Sequence, residues 1–156
     1  MADPRFLADE MVGRLARWLR MLGADTTYAR GWSDEQIARV AREEGRVVVT
    51  RDRGLAARSE RAVLLTSPRL DEQVRAMWDA VPELSHDLRF DRCTLCNGRL
   101  APATTESGDQ SGVPWDRIRA GLPAFRCAEC GHLFWEGTHT AEVRRRMSGW
   151  TEGSDA

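Results

Sequence analysis

No stretch of the 156-residue chain approaches the roughly 18 consecutive apolar residues of a membrane span. The N-terminus also lacks the apolar core of a secretory signal. These absences set the expectation of a cytoplasmic protein without structural disulfides. Lysine is missing altogether, so all 23 basic residues are arginine. Codon usage in a GC-rich genome gives that bias, and so does a need for guanidinium forks that suit phosphate; composition alone does not separate the two. There is no charge excess either: the net charge is −1, so no global field directs the chain to nucleic acid.

Cysteine is scarce, and its placement is informative. The four cysteines form two knuckles, Cys93-Thr-Leu-Cys96 and Cys127-Ala-Glu-Cys130, and none lies before residue 93. A C-x-x-C turn aims two thiolates at one point, and two such turns complete a tetrahedral S4 site. Asn97-Gly98 follows the first knuckle and Gly131 the second, residues that accept positive φ and let backbone N–H groups face the sulfurs. The expectation is structural zinc held by Cys93, Cys96, Cys127 and Cys130, with a disulfide pair or redox dithiol as the weaker alternatives. A closed zinc site organises structure without doing chemistry, so a catalyst must lie elsewhere. The corresponding layout is a domain over residues 1–90, a zinc ribbon with a closing helix over 91–150, and a disordered tail over 151–156.

The first 90 residues alternate in pattern. Arg5–Ala8, Thr26–Ala29, Val47–Thr50 and Ala62–Leu65 read as strands. Met11, Leu15, Trp18, Leu19 and Leu22 recur at helical spacing. Ser33 and Gln36 open a second helix as a capping box, Leu55–Glu60 reads as a short third, and Ser67-Pro68 opens a fourth. This order predicts an α/β fold, with a parallel sheet covered by helices on both faces. Residues 83–92 read as a linker, Thr104–Gly112 as a polar loop, and Ala141–Met147 as a closing helix.

Open α/β sheets bind ligands at the carboxyl ends of their strands. Asp9 follows the first strand, Asp34 starts the helix after the second, and Asp52 follows the third. Converging carboxylates call for a cation between them, and hard ions such as Mg²⁺ or Mn²⁺ take oxygen ligands. Each acid also has a plainer role, Asp34 as a first-turn helix residue and Asp9 and Asp52 as caps.

Phe6-Leu7-Ala8-Asp9, Gly13-Arg14-Leu15-Ala16-Arg17-Trp18-Leu19-Arg20-Met21-Leu22-Gly23, Ser33-Asp34-Glu35, Thr50-Arg51-Asp52-Arg53 and the two knuckles together resemble the Mut-seven C-terminal RNase family. The resemblance runs from about residue 5 to about residue 145. It implies a PIN-like nuclease domain followed by a small C-terminal zinc ribbon. It also implies Asp9, Asp34 and Asp52 as catalytic acids holding Mg²⁺ or Mn²⁺, and RNA as substrate. Many PIN domains carry a further acid after the fourth strand; here that place is Thr66-Ser67, and the nearest acid is Asp71. Arg14, Arg17 and Arg20, three apart on the first helix, and Arg51 beside Asp52 are candidate phosphate-binding residues, against the plainer reading of a solvated face. Trp135 and Phe134 read as ribbon core, with base stacking as the alternative. A non-catalytic RNA-binding module and a zinc-ribbon protein adaptor are the rivals to a ribonuclease. The ribbon is expected to add RNA-contact surface near the acids.

Overall fold

The computed structural model describes residues 3–103 and 112–152. Its first part runs β1 (Arg5–Asp9), a 3-10 turn (Glu10–Val12), α1 (Gly13–Met21), β2 (Asp25–Ala29), α2 (Asp34–Glu44), β3 (Val47–Thr50), α3 (Arg53–Arg58), β4 (Ala62–Leu64) and α4 (Leu70–Ala80). The four strands are all parallel, in the order β2-β1-β3-β4. The fold class expected from the alternation of elements is therefore the one found.

Strand periodicity sorts the core into two layers. Phe6, Ala8, Val47 and Val49 turn to one face and pack with Leu15, Leu19, Val74 and Met77 of α1 and α4. Leu7 and Val48 turn to the other and pack with Ile37, Ala41 and Leu55 of α2 and α3. The chain leaves β1 for β2 and then crosses back to β3. Its winding reverses between β1 and β3, and a crevice opens at such a reversal, outside the carboxyl ends of the strands.

Two helix starts differ from expectation for local reasons. Asp52 caps α3, its Oδ1 accepting from the N–H groups of Gly54 and Leu55, so that helix begins before Leu55. Ser67 closes a turn of its own instead of capping α4: its Oγ accepts from Arg69 N and its carbonyl from Gln73 Nε2, and the helix starts at Leu70. The segment read as a linker has no regular element but is tied down. Leu84 is buried, Trp78 Nε1 donates to Ser85 O at 2.9 Å, and Arg89 N donates to Met21 O at 2.8 Å.

The second part carries an antiparallel sheet, β5 (Leu100–Pro102), β6 (Ala124–Cys127) and β7 (Leu133–Trp135), in that order. Ile118, Ala124 and Leu133 form its small core. Ile118 comes from a short helix, α5 (Trp115–Arg119), that the sequence pattern did not announce. Of the polar loop read at Thr104–Gly112, residues 104–111 lie outside the described residues.

The closing helix is longer than expected: α6 spans Thr138–Glu152. Its stripe of Val143, Met147 and Trp150 reaches the α1/α4 core, where the Trp150 and Trp18 rings lie 4.8 Å apart with Arg146 above both. Thr151 and Glu152, read as tail, are helical, and residues 153–156 lie outside the described residues. Among the described residues no helix is long and apolar enough to cross a membrane.

Asp25, at the start of β2, joins the two parts. It pairs with Arg46 at 2.8 Å and Arg5 at 3.3 Å, and accepts from Asn97 Nδ2 at 2.7 Å. Burial alone would raise its pKa, but the hydrogen bonds and charge of Arg46, Asn97 and Arg92 outweigh burial and bring it to about 2. A depressed carboxyl contributes stability above its unfolded pKa, and that contribution is lost as pH falls through the folded value. Asp25→Asn should therefore cost about 2 kcal/mol at neutral pH. Urea unfolding of parent and variant should show the difference shrinking between pH 4 and pH 2.

Candidate active site and metal centre

Asp9 is the last residue of β1 and is only 6% exposed. Its Oδ1 accepts from Met11 N at 3.1 Å and its Oδ2 from the Thr50 hydroxyl at 2.5 Å. Thr50 ends β3 and is fully buried, and its Oγ1 also accepts from Asp52 N at 2.9 Å. One hydroxyl thus links the ends of β1 and β3 at the point where the winding reverses. Asp52 is exposed, and Asp34 is half-buried at the first position of α2 with no hydrogen-bond partner for its side chain among the described residues.

Electrostatics ties the three acids together. Burial is the largest influence on Asp9 and raises its pKa. The Thr50 hydroxyl and Met11 N–H lower it, the charges of Asp52 and Asp34 raise it, and the net shift is upward. The acids are not, however, packed as tightly as a closed site. Among the described residues, only the four cysteines form a group of three or more potential ligands whose atoms all lie within 4.8 Å of one another.

The arginines divide. Arg14 and Arg17 are exposed, and neither makes an ion pair among the described residues. Arg51, half-buried between Thr50 and Asp52, has its Nε buried without a hydrogen-bond partner. Arg20 corrects the sequence expectation. It is 8% exposed, with Nε donating to Thr26 O and Nη1 to Thr94 O, both at 3.0 Å, so its guanidinium holds the first knuckle against β2 and is not offered to a ligand. The place after β4 has no acid, and Asp71 is held by Arg69 and Arg75.

Thr50 is the residue of the candidate site to which the sequence reading assigned no role. Its signals are a hydroxyl ending a run of three valines and its place at the head of the Thr50-Arg51-Asp52-Arg53 motif. Its O–H supports the ionised form of Asp9, so Thr50→Val, which keeps the shape, should raise the Asp9 pKa further. The acid limb of a pH–rate profile should move to higher pH, and the rate near neutrality should fall about tenfold, as expected for the loss of one hydrogen bond to a charged group.

The cysteines converge. Cys93 and Cys130 sulfurs lie 3.7 Å apart and those of Cys96 and Cys127 3.4 Å apart. A tetrahedral zinc with bonds of about 2.3 Å sets sulfurs about 3.8 Å apart, whereas a disulfide needs about 2 Å. All four cysteines are free. Gly98 N donates toward Cys96 Sγ and Cys130 N toward Cys127 Sγ, both at 3.4 Å. Asn97 at φ 71° and Gly131 at φ 78° adopt the expected left-handed turns. Gly98 is required for a different reason: a Cβ there would sit 2.8 Å from Cys127 Sγ. Burial pushes the Cys96 thiol up to about 12. At Cys127 burial also raises the pKa, but the N–H groups of Cys130 and Glu129 bring it down to about 7. The donor chemistry and spacing fit zinc, and His132 stands outside the group.

This centre sits at the opposite edge of the sheet from the acids. Asn97 Oδ1 accepts from Thr26 N at 2.9 Å, at the start of β2, whereas the acids follow strand ends. The five residues of β2 alone span about 13 Å between first and last Cα. A parallel sheet with acids at its carboxyl edge and a four-cysteine cluster at its amino edge defines a two-part α/β protein with a metal-binding centre. The family model described as the Mut7-C RNAse domain matches residues 4–147, nearly the whole chain, and the chain belongs to that family. Membership implies a ribonuclease with RNA as its substrate. No curated protein and no solved structure matches the chain.

Proposed function

We propose that the chain is a PIN-like, Mg²⁺- or Mn²⁺-dependent ribonuclease acting in the cytoplasm, with a structural zinc held by Cys93, Cys96, Cys127 and Cys130. The observation that carries this is the Asp9–Thr50–Asp52 linkage at the reversal between β1 and β3, with the charge of Asp34 also felt at Asp9. An all-carboxylate donor set suits a hard cation, and one that keeps several of its waters tolerates acids that are not in mutual contact. A divalent cation held by Asp9, Asp34 and Asp52 would lower the pKa of water and neutralise charge on the phosphate.

The chain's own groups supply the rest. Thr50 fixes the Asp9 carboxylate and the Asp52 backbone together, so two acids keep their spacing as substrate arrives. The exposed guanidinium of Arg14, with Arg17 one turn further along α1, and the half-buried Arg51 beside Asp52 supply phosphate partners. In the hydrolysis itself a water oxygen bonds to phosphorus in line with the departing oxygen. The old P–O bond breaks, and the leaving oxygen takes a proton.

The test is purified protein, labelled single-stranded RNA and added Mg²⁺ or Mn²⁺, comparing parent with Asp9→Asn. Cleavage by the variant at the parent rate rejects the assigned site. The absence of an acid after β4 favours a second reading, a non-catalytic RNA-binding module. RNA binding without turnover in either metal would select it.

A further inference from the structure

A cavity of about 480 Å³ opens between the second sheet, the 88–92 segment and the first turn of α6, and none of the three candidate acids lines it. That volume is in the range of small-ligand sites. Phe90, Phe134 and Trp135 give it aromatic walls. The rings are held in place: Phe90 stacks on Phe125 at 4.7 Å, and His132 sits edge-on to Phe134 at 4.6 Å. Arg89, Arg92, His132 and His139 are its ionisable lining residues, and no acid lines it, although the chain carries 24 acids. Arg92 is committed to Asn97 O and Asp25, whereas Arg89 pairs with Asp91 through Nε and is 49% exposed.

Met21, Leu88, Leu100, Leu133 and Val143 complete a mainly apolar lining, and such a lining with aromatic rings and arginine but no acid suits the flat apolar face of a base that carries a phosphate. Base faces stack on such rings regardless of sequence, and phosphates meet arginine. A base inside a duplex has both faces covered, so only an unpaired one can enter. Granting that RNA is the substrate, we infer that this cavity seats an unpaired base of the RNA strand with its phosphate at Arg89. The ribbon would then hold the strand about a sheet's length from the acids, rather than beside them.

The experiment uses the full chain and a fluorescent single-stranded RNA without added Mg²⁺ or Mn²⁺, with affinity read by anisotropy over a salt series. Phe134→Ala should weaken binding about tenfold, and Phe134→Tyr should restore it. Arg89→Ala, at an exposed position that spares the fold, should reduce the slope of log affinity against log salt by about 0.7. A 4-thiouridine RNA should crosslink to the 132–139 segment. Unchanged affinity and slope in both variants, with the parent still cleaving RNA, overturn this site alone and leave the cavity to an apolar peptide. A parent that neither binds nor cleaves RNA overturns both this site and the ribonuclease assignment.

Discussion

Asp9→Asn is expected to lower RNA cleavage about a thousandfold or more, equivalent to about 4 kcal/mol of transition-state stabilisation. The same change should raise the thermal stability of the protein measured without added Mg²⁺ or Mn²⁺. Both results follow from one placement. Asp9 is buried beside two further acids, and burial leads the causes that raise its pKa. A carboxyl whose folded pKa lies above its unfolded value favours folding when protonated. That contribution is complete below the unfolded pKa and is lost as pH rises through the folded one. The parent therefore carries a destabilising charge at neutral pH, and asparagine does not ionise. The gap in Tm between variant and parent should open as pH rises from 4 to 8. Added Mg²⁺ or Mn²⁺ should reverse the order, stabilising the parent by mass action and leaving the variant unchanged. A variant that loses activity and also melts lower in every condition would make Asp9 a structural cap alone.

The three candidate acids could be picked out of the sequence because each stands at a fixed place relative to a strand or helix end. Asp9 and Asp52 follow apolar runs, and Asp34 follows a capping serine, so chain order alone puts them on one edge of a parallel sheet. Thr50 was not legible, since a threonine at a strand end is ordinary until its partner across the sheet is known. Arg20 was misread because the spacing of Arg14, Arg17 and Arg20 suggests one exposed face. Three residues advance about 300° around a helix, so a run of such steps drifts. By Arg20 the side chain has turned toward β2 and the knuckle, where two carbonyls accept its donors. The position of the ribbon was hidden for a similar reason. Its anchors, Asn97 to Thr26 and Asp25, join residues more than 70 apart in sequence, and nothing local to either partner announces the pairing. The sulfur cluster, by contrast, was readable from spacing because each knuckle is local and only the joining of two knuckles is long-range.

Cys127→Ser is expected to remove one zinc per chain, as read by metal analysis, and to unfold the second sheet. A structural zinc contributes about 10–16 kcal/mol of apparent binding free energy, comparable with the whole stability of a small domain. The core of this sheet, Ile118, Ala124 and Leu133 with a few partly buried neighbours, is too small to replace it. The loss should then spread along the anchors. Freed from the cluster, the first knuckle no longer fixes Thr94 O for Arg20 or Asn97 for the edge of β2. Arg20 is left buried with one acceptor gone, at a cost of about 1–3 kcal/mol. Hydrogen exchange should show protection lost over β5–β7 first and reduced at Thr26, while the amides of β1 and β3, buried in the parallel sheet, keep theirs. α6 should separate the two parts further: its first turn lines the ribbon cavity, but Val143, Met147 and Trp150 sit in the α1/α4 core. Its amino-terminal turn should exchange with the ribbon and its carboxyl-terminal turns with the parallel sheet. Because the acids lie at the other edge, cleavage of a dinucleotide should survive Cys127→Ser better than cleavage of a long RNA. Equal loss on both substrates would place the zinc in support of the acid site itself.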